Sequence, residues 1–169
     1  MKKSIMSVLF LAIIAALAGT AVTFVHDLTA PVIEENDAIA EKASLSIMFP
    51  DGQFKEIDTY TENDYILAIY EVKDEGYIVK GTAYGYNTST PIIVLIGFDL
   101  NGQTTGLAVL QEQETSGYGS RCFDDEYISE AYLHKASVNE IDTLSGATRT
   151  SEAMTRIMDA AFKAIQEVK

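Results

Sequence analysis

The segment "IDTLSGATRTSEAM", residues 141–154, places Thr143, Ser145, Thr148 and Thr150 around Gly146 and Ala147. Gly146 and Ala147 carry the smallest side chains, so a bulky group can approach the backbone there. A helical pattern begins just beyond them. Its unpaired N–H groups and positive dipole end favour a phosphate. Two readings compete. In the first, Thr148, Thr150 or Ser151 simply caps the helix. In the second, the Thr148 hydroxyl at the helix mouth carries a phosphodiester. No capping box supports the first reading, because Arg149 stands three residues before Glu152.

A second chemical segment is "QETSGYGSRCF", residues 113–123. Gly117 and Gly119 flank Tyr118, which frees the backbone and presents the ring. Such a ring can stack on a planar ligand; the plainer reading is a glycine-rich turn with a surface tyrosine. Cys122 is the sole cysteine, so an intramolecular disulfide and a thiolate metal cluster are both excluded. It reads as a small buried residue rather than a catalytic thiol. His26 and His134 are the only histidines, too few for a histidine metal site or a Ser-His-Asp triad.

Charge narrows the partners. The chain has 169 residues, with 12 Lys and Arg against 25 Asp and Glu. Lys2 and Lys3 precede the first apolar run, so the remainder carries a net charge of −15. That surface repels phosphate backbones, and nucleic acid is not an expected partner.

The positioning elements follow from periodicity. Residues 5–25 run 21 residues without a charge. As a helix they span about 30 Å, the hydrocarbon thickness of a bilayer. A cleaved signal sequence has a shorter apolar core of about 7–15 residues, although Ala16-Leu17-Ala18 resembles a cleavage site. A retained anchor in the lipid bilayer is expected. No cysteine follows the run, which excludes a lipoprotein anchor. Lys2 and Lys3 on one flank, with Asp27, Glu34, Glu35 and Asp37 on the other, put residues 1–4 in the cytoplasm as a stub. Residues 26–169 then form an extracytoplasmic domain.

Pro31 is expected to break the chain after the span. Ile33, Ala40, Ala43 and Ile47 then mark one face of an amphipathic helix of about four turns, ending before Pro50-Asp51-Gly52. Residues 65–86 read as two strands joined at Lys73–Gly76. Residues 91–113 read as a hairpin whose Asn101-Gly102 pair suits a type I′ turn. Ile92 to Phe98 is apolar throughout, as in a strand covered on both faces. Residues 129–138 suggest a short helix. Met154, Ile157, Met158, Ala161, Ile165 and Val168 form the apolar stripe of a final helix. The fold class expected is α+β: one transmembrane helix, then a mostly antiparallel sheet with flanking helices.

These motifs resemble a known family. Asp142 to Ser151 is similar to the flavinylation motif of the covalent FMN-binding domains, Asp-x-x-Ser/Thr-Gly-Ala-Thr. Glu114 to Gly119 resembles that family's Glu-Thr-x-Gly-x-Gly loop, and Ile96 to Thr115 its preceding strand-turn-strand. Leu28 to Ile33 resembles the Thr-x-Pro-x-Ile step of the G subunit of Rnf electron-transport complexes. Three features depart from the pattern: Ser116 replaces a common proline, Tyr118 a common leucine, and Asn87 to Thr90 a glycine pair.

The resemblance implies FMN joined through its phosphate to Thr148. Ser145, Gly146, Ala147, Glu114, Thr115, Gly117 and Tyr118 would surround it, with Lys135 and Arg149 as counter-charges. It also implies an electron relay in the membrane, with other complex subunits and a flavin transferase as partners. Ferredoxin and NAD would bind elsewhere in that complex. Two alternatives remain in the same class: a stand-alone FMN carrier, and the C subunit of the sodium-pumping NADH:quinone reductase, usually a longer chain. A third belongs to another class, an anchored binding module without redox chemistry.

Overall fold

The computed structural model of the chain describes residues 2–58, 60–61 and 63–169, with backbone alone at 2–4. The expected stub at residues 1–4 therefore falls on Met1, outside the described residues, and on positions without described side chains. The fold is α+β, as expected. Helix α1 spans Lys2–Met48, and the chain divides into two compact units, residues 1–40 and 41–169.

In the first unit every side chain from Ile5 to Thr29 is exposed, including Leu9, Phe10, Ile13, Leu17 and Phe24. An apolar helix with no protein cover needs an apolar surrounding. From Ile5 it is long and apolar enough to cross a membrane. Pro31 lies inside α1 and does not end it, contrary to expectation. A proline removes one N–H, here the partner of the Asp27 carbonyl, and Asp27 is exposed. That carbonyl keeps access to solvent, so the helix continues through the proline.

In the second unit five strands form one antiparallel sheet in chain order: β1 (Phe54–Glu56), β2 (Ile66–Val72), β3 (Gly76–Ala83), β4 (Ile92–Asp99) and β5 (Thr104–Gln111). β1 was not foreseen; at three residues it is too short for a period-2 signal. β4 is buried on both faces, as its unbroken apolar run implies. Ile92, Val94, Ile96 and Phe98 face helix α3 (Thr148–Val168). Leu95 faces the other way, with Val72 and Ile78, beneath Leu45 and Phe49. The expected α3 stripe is the core stripe: Met154, Ile157, Met158, Ala161 and Ile165 are at most 2% exposed. A Cβ on Gly81 would collide with Ile157, so this glycine lets α3 lie close on β3.

Three local expectations are corrected. The inward face of residues 41–49 is Glu41, Leu45, Met48 and Phe49, not the Ile33–Ile47 stripe; Ile47 is 79% exposed. Glu41 explains the choice. It pairs with Lys80 at 2.6 Å and accepts the Tyr70 hydroxyl at 2.9 Å. Burial, reinforced by that hydrogen bond, pushes the Tyr70 phenol up. Second, the β4–β5 turn is not a two-residue type I′ turn. Asp99 organises it: its Oδ1 accepts from the Asn101 and Gln103 amides, its carbonyl accepts from Gly102 N–H, and only Gly102 takes a positive φ, 83°. Third, the short helix lies earlier than expected, at Asp125–Ala131 (α2).

Candidate functional site

Three connections converge at the first turn of α3. They are the loop after β3, the loop after β5, and the segment 144–148. Together they line a cleft of about 460 Å³. Tyr86 comes from the first, Thr115, Tyr118 and Gly119 from the second, and Gly146 to Thr148 from the third, which runs on into Arg149 and Thr150 of α3. The volume falls in the range of small-molecule and cofactor sites, about 300–1,000 Å³.

The third segment is shaped by a tight turn. Ala147 N–H bonds to the Leu144 carbonyl at 3.0 Å, and Gly146 sits at φ 85°, a left-handed conformation that glycine adopts without steric cost. Ala147 is the N-cap, and no side chain caps the helix. The capping reading therefore fails for all three candidates. Thr150 and Ser151 are buried and turned to other partners. Thr150 Oγ1 donates to Glu114, and Ser151 Oγ accepts from Leu144 N–H. Thr148 is the first residue of α3, is exposed, and makes no side-chain hydrogen bond among the described residues. The amides of Thr148, Arg149 and Thr150 likewise find no acceptor among the described residues. No acid stands in the first turn to neutralise them. The cleft therefore ends in free donors and the positive end of a helix of 21 residues.

Aromatic groups frame the opening. Tyr118 is 64% exposed and Tyr86 is 62% exposed. The Arg149 guanidinium lies over the Tyr86 ring, 5.9 Å from its centroid, within cation–π range. Arg149 thereby brings a cation to the helix mouth.

The anticipated residues are not all brought together. Thr115, Tyr118, Gly146, Ala147 and Thr148 line the cleft. Ser145 is exposed beside it, and Gly117 is spent on the turn, its N–H bonding to Ser120 Oγ. Glu114 lies behind the wall, 8% exposed. Lys135 is elsewhere. Its backbone is tied to Thr104, which pairs with Phe98, and Phe98 packs on Phe162. Phe162 is about four turns, roughly 21 Å, along α3 from Thr148. Gly119, Arg149, Thr150 and Tyr86 also line the cleft; Thr150 is singled out in the sequence only as a possible cap, and Tyr86 not at all. A lone loop tyrosine gives no sequence signal of its own.

Cys122 is fully buried beneath α3, 3.5 Å from Ser151 Oγ. Burial pushes its thiol up; the Ser151 hydrogen bond opposes this and Glu114 adds to it. It is a core residue, not a nucleophile. Among the described residues no group of His, Cys, Asp and Glu can hold a metal ion.

The cleft fits a flavin mononucleotide: open backbone donors for a phosphate, small residues for close approach, and aromatic faces for a planar ring. Residues 85–163 match the FMN-binding domain family, a span that contains every cleft-lining residue. Over 95% of its length the chain is 24% identical to the G subunit of the Na⁺-translocating ferredoxin:NAD⁺ oxidoreductase complex of Acetobacterium woodii, covering 90% of that protein. It is 20% identical to the proton-translocating counterpart of Clostridium ljungdahlii, over 92% of this chain and 88% of that one. The G subunit of the ion-translocating oxidoreductase complex of Haemophilus influenzae is 31% identical over 53% of this chain and 51% of that one. The cleft thus lies wholly inside the span that matches the FMN-binding domain family, in a chain that is similar along nearly its whole length to G subunits of ion-translocating ferredoxin:NAD⁺ oxidoreductase complexes.

Proposed function

We propose that the protein is the membrane-anchored flavoprotein subunit of an Rnf-type ferredoxin:NAD oxidoreductase complex, carrying FMN as a phosphoester on Thr148. One observation carries the attachment. Thr148 is the cleft hydroxyl that is exposed, uncommitted, and set at the uncapped amino end of α3. Thr150 is committed to Glu114. When bound, FMN supplies electron transfer one electron at a time. The protein's part is to hold it: amides of the first α3 turn toward the phosphate, and Tyr118 and Tyr86 beside the ring. A flavin transferase would use FAD, so that the Thr148 oxygen bonds to the FMN phosphorus and AMP leaves with the broken pyrophosphate bond.

The intact mass of protein purified from membranes tests this reading. The expected increment is FMN minus water. Unmodified mass in a host that makes the transferase would refute it.

The sidedness of the domain belongs to the same proposal. Lys2 and Lys3 are the only charges before the span, and acids follow it. Residues 26–169 are expected outside, where a covalent link keeps the cofactor from diffusing away. A reporter fused after Lys169 should be active only on the outer side. Activity confined to the cytoplasm would overturn an outer-face relay.

Tyr118 offers a third check. Tyr118→Ala is expected to keep FMN attached, because Thr148 is untouched, and to shift the flavin spectrum or potential. An unchanged spectrum and potential would remove Tyr118 from the ring's surroundings.

A further inference from the structure

We propose that Glu114 is the positioning residue of the cleft, a carboxylate that locks its three walls to one another and so fixes the ring relative to the attachment point. The inference rests on the reading that the cleft holds the flavin. Oε2 of Glu114 accepts from the Tyr86 amide at 3.0 Å and from the Thr150 hydroxyl at 2.5 Å. Oε1 accepts from the Asn87 amide at 3.1 Å. The same residue begins the loop that supplies Thr115, Tyr118 and Gly119. One side chain therefore joins the loop after β3, the loop after β5 and the first turn of α3.

Two glycines are shaped around it. A Cβ on Gly85 would stand 2.6 Å from Oε1, and a Cβ on Gly119 would stand 2.8 Å from Oε2 and 2.5 Å from Thr150 Oγ1. Neither glycine has a positive φ, so space and not backbone conformation calls for glycine there. The site also specifies an acceptor-only group. Glutamine has one acceptor oxygen and an amide that only donates. With its oxygen at the Oε2 place, its amide faces the Asn87 N–H. Reversed, it faces the Tyr86 N–H and the Thr150 hydroxyl. Either way buried donors point at each other, which is costly where little water enters.

The test has two arms. In protein made without the transferase, amide exchange at Tyr86 and Asn87 is compared with that of β4. Glu114→Gln should speed the first two by about tenfold or more, as expected on losing a charge-assisted acceptor, and leave β4 unchanged. In the flavin-loaded protein, intact mass, visible spectrum and flavin anisotropy decay are read together. Glu114→Gln should keep the added mass while the flavin reorients faster and its bands shift. Thr150→Val should move the same way, and Thr150→Ser should restore wild-type behaviour. Unchanged exchange, or a wild-type flavin signature in folded Glu114→Gln, would overturn the proposal. So would Thr150→Val matching Thr150→Ser. Wild-type protein without FMN would instead sink the functional reading, and the exchange arm would still decide the lock.

Discussion

Thr148→Ala is expected to abolish covalently held flavin while the domain stays folded. A phosphodiester needs an oxygen nucleophile, and alanine has none. The stability forecast separates this role from a helix cap. Losing a capping hydroxyl costs about 0.5–2 kcal/mol. Thr148 makes no cap bond, since Ala147 occupies the N-cap. An exposed change away from any such contact usually stays within about 0.5 kcal/mol. In-gel flavin fluorescence after denaturation reads the first expectation, and urea unfolding reads the second. Ser145→Ala should retain its fluorescence, because Ser145 lies outside the cleft lining. Fluorescence persisting in Thr148→Ala would move the attachment to Ser145 or Thr150.

The largest expected loss of stability lies at the far end of α3. Phe98 is fully buried in β4 and meets Phe162 edge-on, ring centroids 5.4 Å apart at 78°. Phe98→Ala removes the ring from both the sheet and the helix. The loss is expected to be about 3–5 kcal/mol, since a tightly packed site collapses only partly around the cavity. Against a typical total of about 5–15 kcal/mol, that is a large share. Urea denaturation followed by far-ultraviolet circular dichroism suits a protein without tryptophan. A midpoint shift worth less than about 1 kcal/mol would mean that Phe98 does not carry the sheet–helix packing.

Elements whose partners are local were readable from residue order. The α3 stripe, the β2–β3 pair and the doubly buried β4 all declare themselves by period and composition. What failed depends on partners distant in sequence. Two helical stripes fit residues 33–49 equally well by spacing. Lys80 and Tyr70, on other strands, selected the one containing Glu41, an acid that composition assigns to solvent. The Asn101-Gly102 pair suggested one turn, but the Asp99 carboxylate gathered the amides of another. At the site, the Ser-Gly-Ala-Thr segment and the Gly-Tyr-Gly loop were legible because small residues beside hydroxyls and rings are unusual. Glu114 was found by motif but not for its work. Its partners, Tyr86, Asn87 and Thr150, lie 27 to 36 residues away, and no spacing rule reaches them.

The sheet order β1-β2-β3-β4-β5 has a consequence for how the chain matures. Every strand pairs with its sequence neighbour, so the sheet is a low contact-order structure that needs no late segment to begin assembling. The cleft is the opposite case. Its walls come from residues 86, 115–119 and 146–150, and the last of these opens the helix that covers one face of the sheet. Closing those long loops costs more chain entropy than pairing neighbouring strands. A nascent chain interrupted before α3 has the residues of its hairpins but no helix mouth and no Thr150 hydroxyl on Glu114. On the proposed reading, loading of the cleft would act as a proofreading mark, open only to chains synthesised and folded through their final helix.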